Sequence, residues 1–359
     1  MAAKGSQKKE KVAVALSGGV DSSVAALLLK NEGYEVTGVF MQCWDEKADG
    51  CKADEDRASA AQVAGELDIK FKDINFILEY KKQVINYFYD EYRRGRTPNP
   101  DIVCNTDIKF GLYLDWALEE GFDYIATGHY ARVKRNGDVK LLRGADESKD
   151  QSYFLYRLTQ EQLSKSLFPL GELRKDEVRK MAAEAGLGTA ERPDSQGICF
   201  FCKVDIKKFL KKEIKPKKGK VSHLGGEEIG THDGVWYYTI GQRHGFEVEK
   251  YFGLPLYVVD KNVEKNELIV GFAKDVLENE FLAKDAHWIA GKTPAELTNG
   301  KLTCAIRVRH LGKLHPAEIT QNSDKIIVKM VDKTFGIAPG QSAVFYCGEE
   351  VLGGAIIAG

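Results

Sequence analysis

Two cysteines and one glycine-rich turn hold the residues of this sequence best equipped for chemistry. Cys104 closes the run Gly95-Arg96-Thr97-Pro98-Asn99-Pro100-Asp101-Ile102-Val103-Cys104-Asn105. Its two prolines stiffen the approach to the thiol. Asp101 stands three residues earlier, positioned to act as a base or to orient a substrate if the intervening turn is helical. Cys199 lies in Asp194-Ser195-Gln196-Gly197-Ile198-Cys199-Phe200, inside a stretch from Thr189 to Phe201 that has neither helical nor strand period and reads as a loop. A loop thiol is reachable by partners. The third element is Val12-Ala13-Val14-Ala15-Leu16 followed by Ser17-Gly18-Gly19-Val20-Asp21-Ser22-Ser23 and an apolar helix. Glycines let a phosphate approach the backbone, N–H groups at the helix start hold the anion, and the serines add donors. No lysine follows the glycines, so this is not a Walker A loop. An acid inside an anion site is unfavourable unless a divalent cation bridges it to the phosphates, which makes Asp21 a candidate Mg2+ ligand. The plainer reading of the same turn is a helix start capped by serine and aspartate.

The elements that must position these groups follow from periodicity. Strand-like runs at Lys11 to Leu16, Glu35 to Met41, Ile69 to Phe76 and Tyr124 to Ala126 alternate with helical patterns at Ser23 to Glu32 and Arg57 to Leu67. Parallel strands need crossover helices, so this order predicts an α/β fold with a doubly wound parallel sheet and ligands at the carboxyl ends of its strands. A further helix is expected over Arg174 to Ala185. Beyond Val221 the texture changes to short β-branched or aromatic runs: Trp236 to Ile240, Leu256 to Val259, Leu268 to Val270, Leu302 to Arg309, Ile326 to Met330, Ala343 to Tyr346 and Gly354 to Ala358. Hairpin signals at Gln321 to Asp324 and Gly348 to Glu350 predict an antiparallel barrel or sandwich.

Composition narrows the partners. At 359 residues and 43% hydrophobic, the chain is long enough for two or three domains. Its 52 basic and 53 acidic residues nearly cancel, so attraction to nucleic acid must come from a local surface. Residues Lys203 to Lys220 carry nine lysines, opposed only by Asp205 and Glu213; they read either as an RNA-phosphate surface or as a solvated helix face with a linker. The sequence shows no secretory leader and no apolar run of membrane-spanning length, which predicts a cytoplasmic protein with reduced thiols and no membrane partner. Cys43, Cys51, Cys304 and Cys347 read as structural. The histidines His223, His232, His244, His287 and His315 have no metal-ligand spacing.

The turn Ser17-Gly18-Gly19-Val20-Asp21-Ser22 resembles the loop of the PP-loop ATP pyrophosphatases, which adenylate a substrate oxygen and release pyrophosphate. Together with the two cysteine motifs, Ala126-Thr127-Gly128-His129-Tyr130, Lys149-Asp150-Gln151-Ser152-Tyr153-Phe154-Leu155, Gly241-Gln242-Arg243 and Pro339-Gly340-Gln341-Ser342, it resembles the bacterial tRNA-specific 2-thiouridylase family from Lys11 to Gly359. The resemblance implies a PP-loop catalytic domain of the adenine nucleotide alpha hydrolase-like kind over 1–205, a small tRNA-binding domain over 206–275 and a C-terminal β-barrel over 276–359. It implies an ATP site at Ala15, Leu16, Ser17, Gly18, Gly19, Val20, Asp21 and Ser22 with Met41 and Gly128. It makes Cys199 the persulfide carrier, Cys104 the thiol that releases the sulfur by forming a disulfide with it, and Asp101 the general base. tRNA contacts carry over to Asn99, Pro100, Asp101, His129, Lys149, Asp150, Gln151 and Gln341, and to Arg309 and His310 in a more weakly matched stretch. A cysteine desulfurase or sulfur-relay protein would supply the sulfur.

One departure opens an alternative. Cys202 follows Cys199 by three positions, and Cys104, Cys199 and Cys202 together would hold an iron–sulfur cluster whose open iron binds sulfide. Two further alternatives are another adenylating PP-loop ligase, which would not need the cysteine pair, and an RNA-binding protein that retains ATP without turnover.

Overall fold

The computed structural model describes residues 9–45, 53–194, 205–250, 253–322 and 325–358. The chain divides into two compact units, one of Met1–Lys81 with Val103–Lys203 and one of Lys82–Ile102 with Val204–Gly359.

In the first unit the described strands are β1 (Lys11–Ala15), β2 (Glu35–Gln42), β3 (Lys70–Asn75), β4 (Tyr124–Ala126), β5 (Ala131–Arg135), β6 (Val139–Arg143) and β7 (Ser166–Leu167). Five of them form a parallel sheet of order β3-β2-β1-β4-β7. β5 and β6 form an antiparallel hairpin. Helices α1 (Val20–Asn31) and α2 (Ala53–Glu66) are the crossovers of the first two parallel pairs. β1 is covered on both faces, so Val12, Val14 and their neighbours are buried and the strand is a continuous apolar run, not an alternating one. Each such valine contributes roughly 1.5–3 kcal/mol on burial. β3, at the sheet edge, is instead lysine- and aspartate-bearing and largely exposed, which discourages edge pairing. The core joins α1 and β1 to the helix Lys175–Glu184 through Val24, Leu29, Val178 and Ala182.

The second unit contains β8 (Gly219–His223), β9 (Glu228–His232), β10 (Glu247–Val248), β11 (Tyr257–Asn262) and β12 (Glu267–Gly271), in a sheet of order β10-β9-β8-β12-β11. It continues with β13 (Leu277–Trp288), β14 (Leu302–Arg307), β15 (His315–Asn322), β16 (Lys325–Phe335), β17 (Ser342–Cys347) and β18 (Glu350–Ile357). These six run β13-β16-β15-β14-β17-β18 and close through β13–β18 pairing, giving an antiparallel barrel in place of the open sandwich that the sequence left possible. Closure removes the exposed edges. Ile306, Ile319, Val328 and Phe345 fill its interior.

Trp236 to Ile240 is not a strand. Gly234 enters with φ 144, Val235–Tyr237 makes a 3-10 turn, and the Tyr238 hydroxyl donates to Gly245 O and Asp233 Oδ1. The consecutive aromatic residues Trp236, Tyr237 and Tyr238 imitated strand composition here, but Tyr237 and Tyr238 are both buried, without the alternation of a strand. Cys304 is buried in the barrel, which pushes its thiol up to about 12, but Cys347 is exposed, contrary to the expected burial. Cys43 is buried, and Cys51 lies outside the described residues.

Candidate active site

The strand order of the first unit reverses between β1 and β4, and the loops leaving their carboxyl ends are the glycine turn and Thr127-Gly128-His129. A crevice at such a reversal is where open α/β sheets bind ligands. Gly18 has φ +76, and a Cβ there would strike the Asp56 carbonyl and come within 2.9 Å of the Arg192 guanidinium. Gly18 O accepts from Ser59 Oγ at 2.9 Å and Arg192 Nη1 at 2.6 Å, which fixes the turn. Ser22 Oγ receives Ser17 N at 3.1 Å and donates to Gly19 O, and Ser23 Oγ also donates to Gly19 O at 2.8 Å. Gly19 is the N-cap of α1 and no side chain caps the helix, so its first turn presents backbone donors to an incoming anion. These features fit a polyphosphate. The alternative expectation, a serine or aspartate cap, fails because the hydroxyls are engaged inside the loop.

Gly128 is a matter of space. A Cβ on it would lie 2.8 Å from Asp21 C and 2.8 Å from Ser22 N, so β4 can pass the start of α1 only with glycine at this position. Met41 is buried near the end of β2, and Ala15, Leu16 and Val20 are buried around the loop.

Asp21 Oδ1 accepts the Tyr130 hydroxyl at 2.8 Å and Lys175 Nζ at 2.6 Å, while Oδ2 makes no hydrogen bond among the described residues. That oxygen suits a divalent cation. Burial, with the Asp21 charge beside it, drives the Tyr130 phenol far up, so it stays a donor. Lys175 also pairs with Asp194 Oδ1 at 2.9 Å, and Lys149 and Arg179 reach Asp194 at 2.8 and 2.6 Å. Burial opposes the Asp194 charge, but the lysine hydrogen bonds and charges prevail and hold its carboxyl at about 2. Sequence reasoning missed Lys175, Arg179 and Arg192, which belong to no motif and are recruited only by tertiary folding.

Asp101 occupies a single helical turn, Pro100–Val103, that runs directly into a π-helical stretch, Cys104–Leu112. The condition set for Asp101 is therefore met locally. Cys104 is fully buried at the head of that stretch. Phe110, on the same stretch, packs on His129 with ring centroids 5.8 Å apart, so the cysteine-bearing helix rests on the loop that Gly128 presses against α1. Cys199 and Cys202 lie outside the described residues.

The expected tRNA contacts separate into kinds. Arg309 is exposed and His310 half-buried, in the turn after β14. Lys149 is engaged with Asp194. Asp150 is fully enclosed, accepting Gly144 N and Ser152 N at 3.1 Å each and facing Arg143, and Gln151 Oε1 accepts Tyr130 N at 3.1 Å; both shape their loop. Gln341 donates through Nε2 to Thr97 O at 2.9 Å and Pro98 O at 3.1 Å. Thr97 N donates to Pro339 O at 2.8 Å. The barrel loop Pro339-Gly340-Gln341 thus grips the segment that leads into Asn99, Pro100 and Asp101.

His129 is buried, bonded through Nδ1 to Thr127 Oγ1 at 2.8 Å, and burial, aided by the Lys109 charge, holds its imidazole well below its ordinary value. It is neutral, not a cationic phosphate ligand. The unfolded chain protonates this side chain near pH 6.5 while the folded chain resists. Stability is therefore full above about 6.5 and falls below it by up to about 1.4 kcal/mol per pH unit. Urea unfolding between pH 7.5 and 5 should show a shallower acid loss in His129→Gln than in the wild type.

The lysine run is only partly available to RNA. Lys207 and Lys211 both pair with Asp233, at 3.0 and 3.1 Å, and Lys220 pairs with Glu228. Lys208, Lys215, Lys217 and Lys218 are exposed. Replacing these four with glutamine should flatten the dependence of log tRNA affinity on log salt by about 0.7–0.9 for each phosphate no longer neutralised. An unchanged slope would assign the run to solvation.

A five-stranded parallel sheet with a glycine turn at its strand-order reversal defines a nucleotide-binding α/β enzyme unit. Residues 10–203 match the family model described as tRNA methyl transferase HUP domain, 207–272 its PRC-barrel domain, and 278–357 the aminomethyltransferase beta-barrel domain. The chain is 47% identical to the tRNA-specific 2-thiouridylase MnmA 1 of Geobacillus kaustophilus (strain HTA426), over 98% of this chain and 96% of that one. It is 46% identical to the tRNA-specific 2-thiouridylase MnmA of Lactococcus lactis subsp. lactis (strain IL1403), over 98% and 96%, and 45% identical to that of Bacillus mycoides (strain KBAB4), over 98% and 95%. The chain belongs to the tRNA-specific 2-thiouridylase family. No helix among the described residues is long and apolar enough to cross a membrane.

Proposed function

We propose that this chain is a tRNA-uridine 2-sulfurtransferase that spends ATP to replace the C2 oxygen of the wobble uridine with sulfur. One observation supports the reading of the site: the glycine turn, its abutting Gly128 and the Cys104 helix pack together at the sheet reversal. The glycine turn holds the ATP phosphates, with Asp21 Oδ2 supplying a ligand for Mg2+, whose part is to neutralise phosphate charge. As the uridine N3 gives up its proton to Asp101, the C2 oxygen attacks the α-phosphorus and pyrophosphate leaves with the bonding pair. The terminal sulfur of a Cys199 persulfide then attacks C2, and AMP departs. Cys104, as thiolate, attacks the Cys199 sulfur. The S–S bond to the transferred sulfur breaks, its electron pair stays with the nucleoside, and a Cys104–Cys199 disulfide remains for an external thiol to reduce. A cysteine desulfurase or sulfur-relay protein reloads Cys199.

We assign the persulfide route over the iron–sulfur alternative because two thiols complete the electron balance without a cluster. Anaerobic purification with iron and sulfide analysis tests that choice: an active preparation containing stoichiometric iron would reverse it. The reading as a whole is tested by incubating the protein with ATP, a sulfur donor and unmodified tRNA, then analysing nucleosides by mass. Appearance of 2-thiouridine is the expected result, and pyrophosphate release without it would point to another adenylating enzyme of the same loop class.

A further inference from the structure

We propose that Lys175 is a phosphate ligand of the ATP site, supplying from another helix the cation that the glycine turn lacks in its own sequence. The inference rests on the reading of that turn as an ATP site. Lys175 opens the helix Lys175–Glu184, where its backbone N–H is pinned by Asp146 Oδ2 at 3.0 Å. Its side chain is only 12% exposed, and Nζ lies 2.6 Å from Asp21 Oδ1 and 2.9 Å from Asp194 Oδ1, with the Tyr130 ring centroid 5.8 Å away. A part-buried ammonium at a helix N-terminus sits at the wrong end of the helix dipole and is held there by anions. Asp194 is such an anion and is itself held charged by Lys149 and Arg179.

The loop's other nearby cation is committed elsewhere. Arg192 binds Gly18 O and Asp56, which fixes the turn from outside. Lys175 alone among the described cations bonds the acid of the phosphate turn directly. When a divalent cation takes Asp21, the carboxylate gives up part of its hold on Lys175. A four-carbon side chain anchored by Asp194 then turns to the phosphates through rotation of its own bonds. Its charge offsets what develops on the departing pyrophosphate, and no proton moves. Asp194 is a positioning residue in this arrangement.

Equilibrium titrations of the full chain with ATP, AMP and inorganic pyrophosphate, with filter binding of tRNA as control, test the assignment. Lys175→Met should weaken ATP and pyrophosphate by about 30- to 100-fold, change AMP by less than about threefold, and leave tRNA affinity alone; Lys175→Arg should recover most of the loss. Equal weakening of ATP and AMP, or none, overturns the proposal, because a lysine that only braces the loop would not discriminate by phosphate count. Should Lys175→Met not fold, reductively methylated wild-type protein gives a second reading. The dimethyl-lysine resonance that disappears in Lys175→Arg must shift when pyrophosphate is added, and a stationary resonance overturns the proposal. Wild-type protein that binds ATP yet forms no 2-thiouridine would sink the proposed function and leave Lys175 standing, whereas wild-type protein that binds no ATP sinks both.

Discussion

Cys199→Ser should abolish 2-thiouridine formation, by a factor of at least about 10^3, while pyrophosphate release in the presence of tRNA stays within about threefold of wild type. In the proposed mechanism a hydroxyl at position 199 could not carry a persulfide, so no sulfur nucleophile would reach C2, whereas adenylation would depend on the glycine turn and on presentation of the uridine. Cys104→Ser should behave differently. Its sulfur transfer should stall in single turnover and be partly restored by high concentrations of a small thiol, which can attack the Cys199 sulfur in its place. Loss of pyrophosphate release and thiolation together in Cys199→Ser, at unchanged ATP affinity, would contradict the division of labour. Nucleoside mass analysis and a coupled pyrophosphate assay on the same samples separate these results.

Gly128→Ala is expected to reduce ATP affinity by about 100-fold and stability by about 1–3 kcal/mol. The added methyl would meet Asp21 C and Ser22 N at 2.8 Å, and both are backbone atoms of the loop and its helix start, with no rotamer to yield. Either β4 retreats or α1 shifts, and in both cases the N–H groups lose their aim. Gly65→Ala, inside α2 with nothing within 4 Å of the new Cβ, is the control: helix propensity should make it neutral or stabilising. If calorimetry finds that Gly128→Ala binds ATP as the wild type does, the phosphate site is not at this sheet reversal.

Much of this was legible in the residues. β1 and β2 lie where apolar runs placed them, because a strand buried on both faces needs an unbroken apolar sequence such as Val12-Ala13-Val14-Ala15, while the exposed edge strand β3 was marked by its place in the alternation of strands and helices. β7 has two residues and no pattern of its own; only pairing with β4 defines it. β13, a twelve-residue strand, carries Glu278, Glu280, Lys284 and Asp285 among its apolar residues and was hidden by them. In the site, the glycine turn was readable because backbone geometry demands particular residue types locally. The Lys149, Lys175 and Arg179 clasp on Asp194 was not, since any surface lysine has the same local signature until the fold sets a carboxylate against it. Asp150 and Gln341 illustrate the converse. Each stands in a motif associated with RNA, yet each commits its side chain to backbone groups of the segment it supports.

Because Gln341 and the Thr97 amide bond across to each other's stretch of chain, the aspartate proposed as base and a β-turn distant in sequence are held as one mechanical unit. A chimera that took its barrel from a relative with a different turn would arrive with intact folding elements and a misdirected Asn99-Pro100-Asp101. Such a chimera is expected to regain the aim of the tripeptide only when this turn and that tripeptide come from the same parent.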